Sequence, residues 1–472
     1  MKTNVATMTD SYKFTHARQY PPGTTRVHSY FESRVGAQYP ETVFFGLQAI
    51  LKEYLTGKRV YGVDVDEAKS LCDAHMGPGR FNEAGWNHIV EDHGGCLPLI
   101  IRAVPEGTVV PTGNVMMTVE NTCDQCWWVT NWFETLLVQV WYPSTVATQS
   151  RAMKQVLLRY LADTGTPADI GFKLHDFGYR GSTSVESAGL GGMAHLVNFL
   201  GTDTVRGLEY AMAFYDADMP GFSIPASEHS TITAWGPTGE LDAMRNMLDI
   251  YPTGLMACVS DSYDIFNAAA NLWGGELKQR VLARDGVLVV RPDSGDPVDI
   301  VPRVMRLLGE RLGATMNAKG YLVLNPKVRM IQGDGITPAS LGAILEAVKQ
   351  SGYSADNLAF GSGGGLLQKL DRDTQRFAFK CSAVQVDGEW REVFKSPLTD
   401  PTKASKNGRL TLYQRLDGSY ETHLVGTLAM AGKGMDVMQT VFKDGDLWID
   451  QSFADVRARA TCLVPEPEVV HA

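Results

Sequence analysis

In the run Pro225-Ala226-Ser227-Glu228-His229-Ser230, a histidine directly follows a glutamate at the point where an apolar segment gives way to a helix. A histidine so placed can serve as a general base, take up a phosphoryl group as a nucleophile, or act as a polar cap. Arg291 and Asp293 flank Pro292 on a second rigid turn. There a guanidinium can hold phosphate oxygens while the carboxylate takes a hydroxyl or a metal, a combination suited to a sugar phosphate; a structural ion pair uses the same two residues. Asp334, between Gly333 and Gly335, offers a further carboxylate. Gly361-Ser362-Gly363-Gly364-Gly365 leads toward a helix expected from near Leu366, so its bare backbone N–H groups form an anion site that favours phosphate. It lacks the third spaced glycine of the dinucleotide fingerprint, and no Gly-Lys-Ser/Thr follows to make a P-loop. Cys123 and Cys126 have the spacing of half a zinc site, but no second pair or histidines lie at ribbon spacing and Trp127-Trp128 follow at once; the pair reads as buried core.

These residues need elements that bring them to one place. Apolar runs begin near 170 (IGFKL), 197 (VNFL), 221 (GFSI), 254 (GLMACV), 286 (GVLVV), 328 (VRMI) and 357 (NLAF), about 24 to 42 residues apart. That spacing is close to the ~30 residues of a βαβ unit, and short continuous apolar runs are what strands covered on both faces require. Each run ends in a polar or glycine-rich turn: His175–Arg180, Gly201–Thr204, Pro225–Ser230, Ser260–Asp264, Arg291–Asp296, Gln332–Gly335 and Gly361–Gly365. Parallel α/β folds bind ligands at the C-terminal ends of their strands, so seven such turns on one edge predict an active site there. Thr337-Pro338 supplies an N-cap and first-turn proline for a helix through Lys349.

On either side the texture differs. From about 24 to 121, strand-like runs (Arg26–Arg34, Leu99–Val104, Val115–Val119) alternate with Pro/Gly turns, followed by helices over about 127–141 and from an N-cap at Ser144 to about Tyr160. From about 376, Asp387-Gly388, Asp417-Gly418 and Asp444-Gly445 sit between β-prone runs as hairpin turns. The expected organisation is α/β. Segments 1–165 and 376–472 form one discontinuous β-rich domain with linking helices, around an inserted barrel at 166–375. A net charge of −10 argues against a general nucleic-acid binder, and any anionic ligand must meet locally grouped Arg and Lys. No run reaches the ~18 apolar residues of a membrane span, residues 1–10 lack an apolar signal region, and seven scattered cysteines do not resemble a disulfide framework. These features predict a cytoplasmic protein with reduced thiols.

The runs TDSYKFTHARQYPP (9–22), YFESR (30–34), KLHDFGYRG (173–181), NFLGTDT (198–204), SIPASEHSTITAWG (223–236), SDSYDIFN (260–267), RPDSGDP (291–297), IQGDG (331–335) and AFGSGGGLLQKLDRD (359–373) together resemble the nicotinamide phosphoribosyltransferases. The resemblance spans roughly residues 9–410 and is weak beyond. It implies a type II phosphoribosyltransferase: an irregular (β/α) barrel with a β-rich second domain, joining nicotinamide to 5-phosphoribosyl 1-pyrophosphate in NAD salvage. Mg²⁺ would assist the pyrophosphate, and ATP would phosphorylate an active-site histidine. The family's sites lie at the subunit boundary of a homodimer.

By position, the resemblance implies that His229 is the phosphorylated histidine, with Glu228 beside it and Asp264 orienting its ring. Phe177 would stack on the pyridine, with Tyr12 of a second subunit on the other face. Asp203 would accept the carboxamide N–H, while Arg180, Arg291, Asp293, Gly333, Asp334, Gly363 and Gly364 would hold ribose and phosphate. Ser223 and Ser260 belong to the same substrate-binding set. From the second subunit, Asp10, Arg34, Arg372, Lys380, Lys395 and Lys403 would line the pyrophosphate side. Ala378 stands where a serine is expected and Phe172 where a tyrosine is. The rival reading, a nicotinate phosphoribosyltransferase, is disfavoured by Asp203, which would repel a carboxylate substrate. A phosphosugar isomerase or aldolase would need a lysine or base at a strand end, and no strand end carries a lysine.

Overall fold

A computed structural model describes residues 3–399, 404–426 and 434–464; Lys403 lies outside the described residues. The chain forms two compact units. One comprises residues up to Thr148, Tyr210–Ala217 and Asp371–Ala460, and the other Gln149–Glu209, Asp218–Leu370 and the residues from Thr461. The division falls inside the helix Trp141–Thr164, which begins three residues before the expected cap at Ser144. Ser144 and Thr148 spend their hydroxyls on the backbones of Phe45 and Val43 in the first unit. Gln149 and Ser150, one turn on, bond Gly365 and His195 in the second.

The first unit is built on a seven-stranded antiparallel sheet in the order Glu389–Glu392, Phe377–Val386, Thr24–Ser33, Val115–Asn121, Leu99–Ala103, Gln439–Lys443, Asp446–Leu447. Three adjacent strands from the N-terminal part are thus flanked on each side by two from the C-terminal part. All three Asp-Gly turns close hairpins. At two of them both residues have positive φ (Asp387 54°, Gly388 83°; Asp444 50°, Gly445 93°), the backbone twist that two-residue hairpins need. Helix Trp128–Leu137 buries Trp128, Val129, Trp132, Phe133, Leu136 and Leu137, spacings of three and four that put one apolar face against the sheet. Each such side chain removed from water contributes roughly 1.5–3 kcal/mol.

The second unit holds six parallel strands in the order Gly201–Thr202, Leu174–Asp176, Leu358–Ser362, Val328–Gln332, Asp285–Arg291, Thr253–Val259. The run expected as a strand near 221 makes only isolated parallel bridges, Phe222 to Gly201 and Ala226 to Ala257. Those bridges nonetheless reach both edge strands and close the sheet into an irregular barrel. The strand expected over 197–200 is displaced to 201–202, because Val197, Asn198 and Phe199 continue the preceding helix with bonds back to Ala194 and His195. Ala257, Val289 and Ile331 pack together as a small core inside the barrel. Thr337 caps helix Pro338–Gln350 through the N–H of Ser340 at 3.2 Å, as its sequence predicts. Among the described residues no helix is long and apolar enough to cross a membrane.

Candidate active site

The C-terminal strand ends surround a cleft of about 730 Å³, whose walls include Phe177, Arg180, Asp203, Arg291, Asp293 and Gly364. Phe177 leaves the strand Leu174–Asp176 and is held by its N–H to Ser362 O at 2.9 Å. Its ring lies over bare backbone: a Cβ on Gly361 would stand 1.9 Å from Phe177 Cε2, and one on Gly333 3.3 Å from it. Two glycines on neighbouring strands therefore make the space that the aromatic ring fills. Asp176, fully buried behind the ring, accepts the N–H of Gly178 at 2.7 Å and fixes the turn. Burial pushes its carboxyl up to about 6.

Asp203 follows the two-residue strand Gly201–Thr202, and its N–H is tied to Asp176 O at 2.9 Å. Its carboxylate meets His175 Nε2 at 2.9 Å and accepts from Ser223 Oγ. Burial works against the charge, but the His175 and Ser223 bonds outweigh it and hold the carboxyl below its usual range. The His175 ring in turn lies 5.1 Å from that of Phe177, so the acid and the aromatic wall share one support. Asp203 lines the cleft, while His175 and Ser223 line a second, mainly apolar cavity of about 640 Å³ in the same unit.

Across the cleft, Arg291 Nη2 stands 3.7 Å from Asp293, and Arg291 Nε, buried, finds no hydrogen-bond partner among the described residues. A guanidinium with donors to spare beside bare glycine backbone at 363 and 364 is an anion cradle. The helix after those glycines is one turn, Gly364–Leu367, starting earlier than expected, so the anion site rests on individual N–H groups more than on a helix dipole. Burial raises the Asp293 carboxyl, and Asp261 and Asp334 add to the rise against Arg291 and His229. His229 opens the short helix His229–Thr233; its Nε2 pairs with Asp261 at 3.0 Å and its Nδ1 faces Asp293 at 4.0 Å.

Residues 172–446 match the nicotinate phosphoribosyltransferase (NAPRTase) family, and residues 4–101 match the N-terminal domain of nicotinamide phosphoribosyltransferase. The chain is 53% identical to the nicotinamide phosphoribosyltransferase of Xanthomonas campestris pv. campestris over 97% of this chain and 98% of that one. It is 34% identical to the enzyme of that name from Acinetobacter baylyi over 95% of each chain. The chain belongs to the nicotinamide phosphoribosyltransferase family. The fold agrees. The crystal structure of nicotinate-nucleotide pyrophosphorylase from Pyrococcus furiosus superposes with a TM-score of 0.59 at 14% identity, covering 98% of this chain and 96% of that one. Human nicotinic acid phosphoribosyltransferase gives 0.54 at 17%, covering 96% and 92%.

Of the residues that family membership singles out, the barrel brings Phe177, Arg180, Asp203, Glu228, Arg291, Asp293, Gly333, Asp334, Gly363 and Gly364 around one cleft. Two expectations need correction. Asp264 does not orient His229: its carboxylate accepts the N–H groups of Phe266 and Asn267 as a helix cap, and Asp261, its side chain only 3% exposed, takes the histidine instead. Ser260 is fully buried, with its hydroxyl between Cys258 O and Trp273 Nε1, and so shapes the strand end rather than facing the cleft. Glu228 accepts from Ser230 Oγ.

Apart from Phe172, the remaining residues belong to the other unit. Tyr12 is exposed, with its ring edge-on to His16, and Asp10 precedes the same 3-10 segment, accepting from Thr135 Oγ1 at 2.9 Å. Arg34 and Lys395 both act electrostatically on Lys380. Burial and these two neighbours bring the Lys380 ammonium down to about 8, with Glu32 opposing. Arg372 is exposed and lies 3.5 Å from Asp373. Ala378 is buried opposite Glu32 in the sheet, and Phe172 is exposed.

Proposed function

We propose that this enzyme condenses nicotinamide with 5-phosphoribosyl 1-pyrophosphate, giving nicotinamide mononucleotide and pyrophosphate. The observation that carries the amide reading is Asp203, an acid kept ionised by His175 and Ser223 at the edge of an aromatic wall. It accepts the carboxamide N–H and repels the carboxylate of nicotinate. Phe177 aligns the pyridine, an aromatic contact contributing on the order of 0.5–1.5 kcal/mol beyond area burial. Arg180, Arg291 and the N–H groups at 363 and 364 hold phosphate oxygens, and Asp293 and Asp334 accept from ribose hydroxyls.

As the C1–O bond to pyrophosphate breaks, its electron pair leaves with the pyrophosphate and positive character develops at C1. The pyridine nitrogen then forms the new C1–N bond with its own lone pair. No general base is required, so the protein's contribution is alignment, charge placement and exclusion of water. Mg²⁺ suits the oxygen donors of Asp261, Asp293 and Asp334. When bound beside them, the ion would offset pyrophosphate charge. Donation of Nε2–H to Asp261 leaves the Nδ1 lone pair of His229 to take a phosphoryl group from ATP, with ADP leaving; this is the step assigned to ATP coupling. Tyr12 and the Arg34, Lys380 and Lys395 group are assigned to the site of a second copy in a homodimer, with Arg372, Lys403 and Asp10 beside them. The location assigned with this reading is the cytoplasm.

The test is an end-point reaction of purified protein with 5-phosphoribosyl 1-pyrophosphate, Mg²⁺ and either pyridine, read by mass. Nicotinamide mononucleotide is the expected product. Product from nicotinate alone, or from neither, overturns the proposal.

A further inference from the structure

The first unit contains a group of residues that the barrel reaction does not use. His88 lies on helix Glu83–Asp92 and His93 is the residue that ends it; Cys123 precedes the one-turn 3-10 segment Asp124–Cys126, and Cys126 closes it. One ligand atom from each of the four lies within 4.8 Å of all the others. In a tetrahedral zinc site with Zn–S about 2.3 Å and Zn–N about 2.0–2.1 Å, the ligand atoms stand roughly 3.3–3.8 Å apart, so the four need to close by about 1 Å.

Three further features prepare the group for a metal. The N–H of Cys126 bonds Cys123 O at 3.1 Å, a tight turn that keeps the two thiols on one side. Asn121 Nδ2 secures the turn through Cys123 O at 2.8 Å. His88 donates from Nδ1 to Asp92 at 2.5 Å, which leaves Nε2, 3.4 Å from Cys123 Sγ, as its coordinating atom. A carboxylate behind the remote nitrogen is the usual support of a zinc-bound histidine. The two cysteines are not bridged to each other, and only Cys126 of the four residues is buried, so an ion has a way in.

We propose that His88, His93, Cys123 and Cys126 form a Cys₂His₂ zinc site. Four protein ligands leave no open position, so the metal is structural. It ties the end of helix Glu83–Asp92 to the turn that launches Trp127 and Trp128. Those rings pack on Tyr20 (5.1 Å) and Trp86 (5.0 Å), and Trp132, one turn on, packs on Phe14 (5.3 Å). The metal thereby braces the aromatic layer under segment 11–20.

Full-length protein purified under reducing conditions without chelator is expected to hold one zinc ion per chain by mass spectrometric metal analysis, and Cys123→Ser, Cys126→Ser and His93→Asn each to lose it. The wild-type chain carries an independent test that does not depend on how these variants fold. Stripped of metal, reduced and titrated with Co²⁺, it is expected to develop the visible bands of a tetrahedral site with thiolate charge transfer in the near ultraviolet, saturating at one equivalent and abolished by Zn²⁺. Chelation is expected to lower Tm in the wild type and to leave Tm of Cys123→Ser unchanged. Metal-free protein with no cobalt spectrum, a native Cys123–Cys126 disulfide, or zinc retained at full stoichiometry in the variants would each overturn the proposal.

Discussion

Replacing Asp203 with Asn removes one charge while keeping an oxygen that can accept from His175 and Ser223, the two groups that hold this side chain. The size of the effect follows from where the carboxylate sits. Were nicotinate to take the place of nicotinamide, its carboxylate would stand roughly 4 Å from that of Asp203, and at an effective dielectric near 20 the repulsion is about 4 kcal/mol. The Asp203 side chain is 45% exposed, so solvent weakens the interaction. A dielectric of about 40 halves it to about 2 kcal/mol. Discrimination owed to this one charge is therefore on the order of 30- to 1,000-fold. The assay is kcat/KM for both pyridines at saturating 5-phosphoribosyl 1-pyrophosphate, in wild type and Asp203→Asn, and the quantity read is the ratio between substrates. The ratio is expected to fall toward unity by at least about 30-fold, chiefly through improved use of nicotinate. A ratio that stays constant while both activities drop would refute the argument and reduce Asp203 to a brace for His175.

Gly361→Ala pushes a methyl group into Phe177, so KM for nicotinamide should rise on the order of tenfold while KM for 5-phosphoribosyl 1-pyrophosphate holds; equal changes in both would contradict the ring's assigned place. Asp261→Asn should uncouple ATP from product yield as His229→Ala does, whereas Asp264→Asn should lower Tm and leave coupling intact; the reverse pattern would restore Asp264 to the histidine. Asp176 gives a pH prediction. Its folded pKa of about 6 lies above the ordinary 3.8, so the folded state holds the extra proton in between, and stability falls as pH rises through about 4 to 6. Asp176→Asn, which still accepts from Gly178, should therefore gain on the order of 3 kcal/mol over wild type above pH 7 and nothing below pH 4; urea titrations showing a pH-independent difference would disprove it.

The barrel was legible in the sequence because its chemistry sits at the ends of short apolar runs, and a run followed by a polar turn is a local pattern. The Asp-Gly hairpins were legible for the same reason. Neighbours in space that are distant or ambiguous in sequence were not. Asp261 and Asp264 lie in one turn, and no spacing rule distinguishes the acid that faces His229 from the one that caps a helix. The apolar run at 221–224 resembles its neighbours, yet its proline and polar flanks leave it only isolated bridges. His88 and His93 stand some thirty residues before the Cys pair, beyond ribbon spacing, and a helix end meets a strand exit only once the sheet has formed.

The barrel's backbone lacing is uneven. Thr253–Val259 and Asp285–Arg291 pair along seven residues, but closure on the other side depends on the two-residue strand Gly201–Thr202 and the isolated bridges of Phe222 and Ala226. Amide protons along that seam should exchange with deuterium well before those of the 253–291 hairpin-free core, because fewer bonds must open to release them. The seam also carries Asp203 and Ser223, so the part of the wall that the proposal assigns to reading the ring's substituent is the part that yields most readily. Remodelling the enzyme toward bulkier pyridines would start by loosening these stitches and leave the phosphate-holding side untouched.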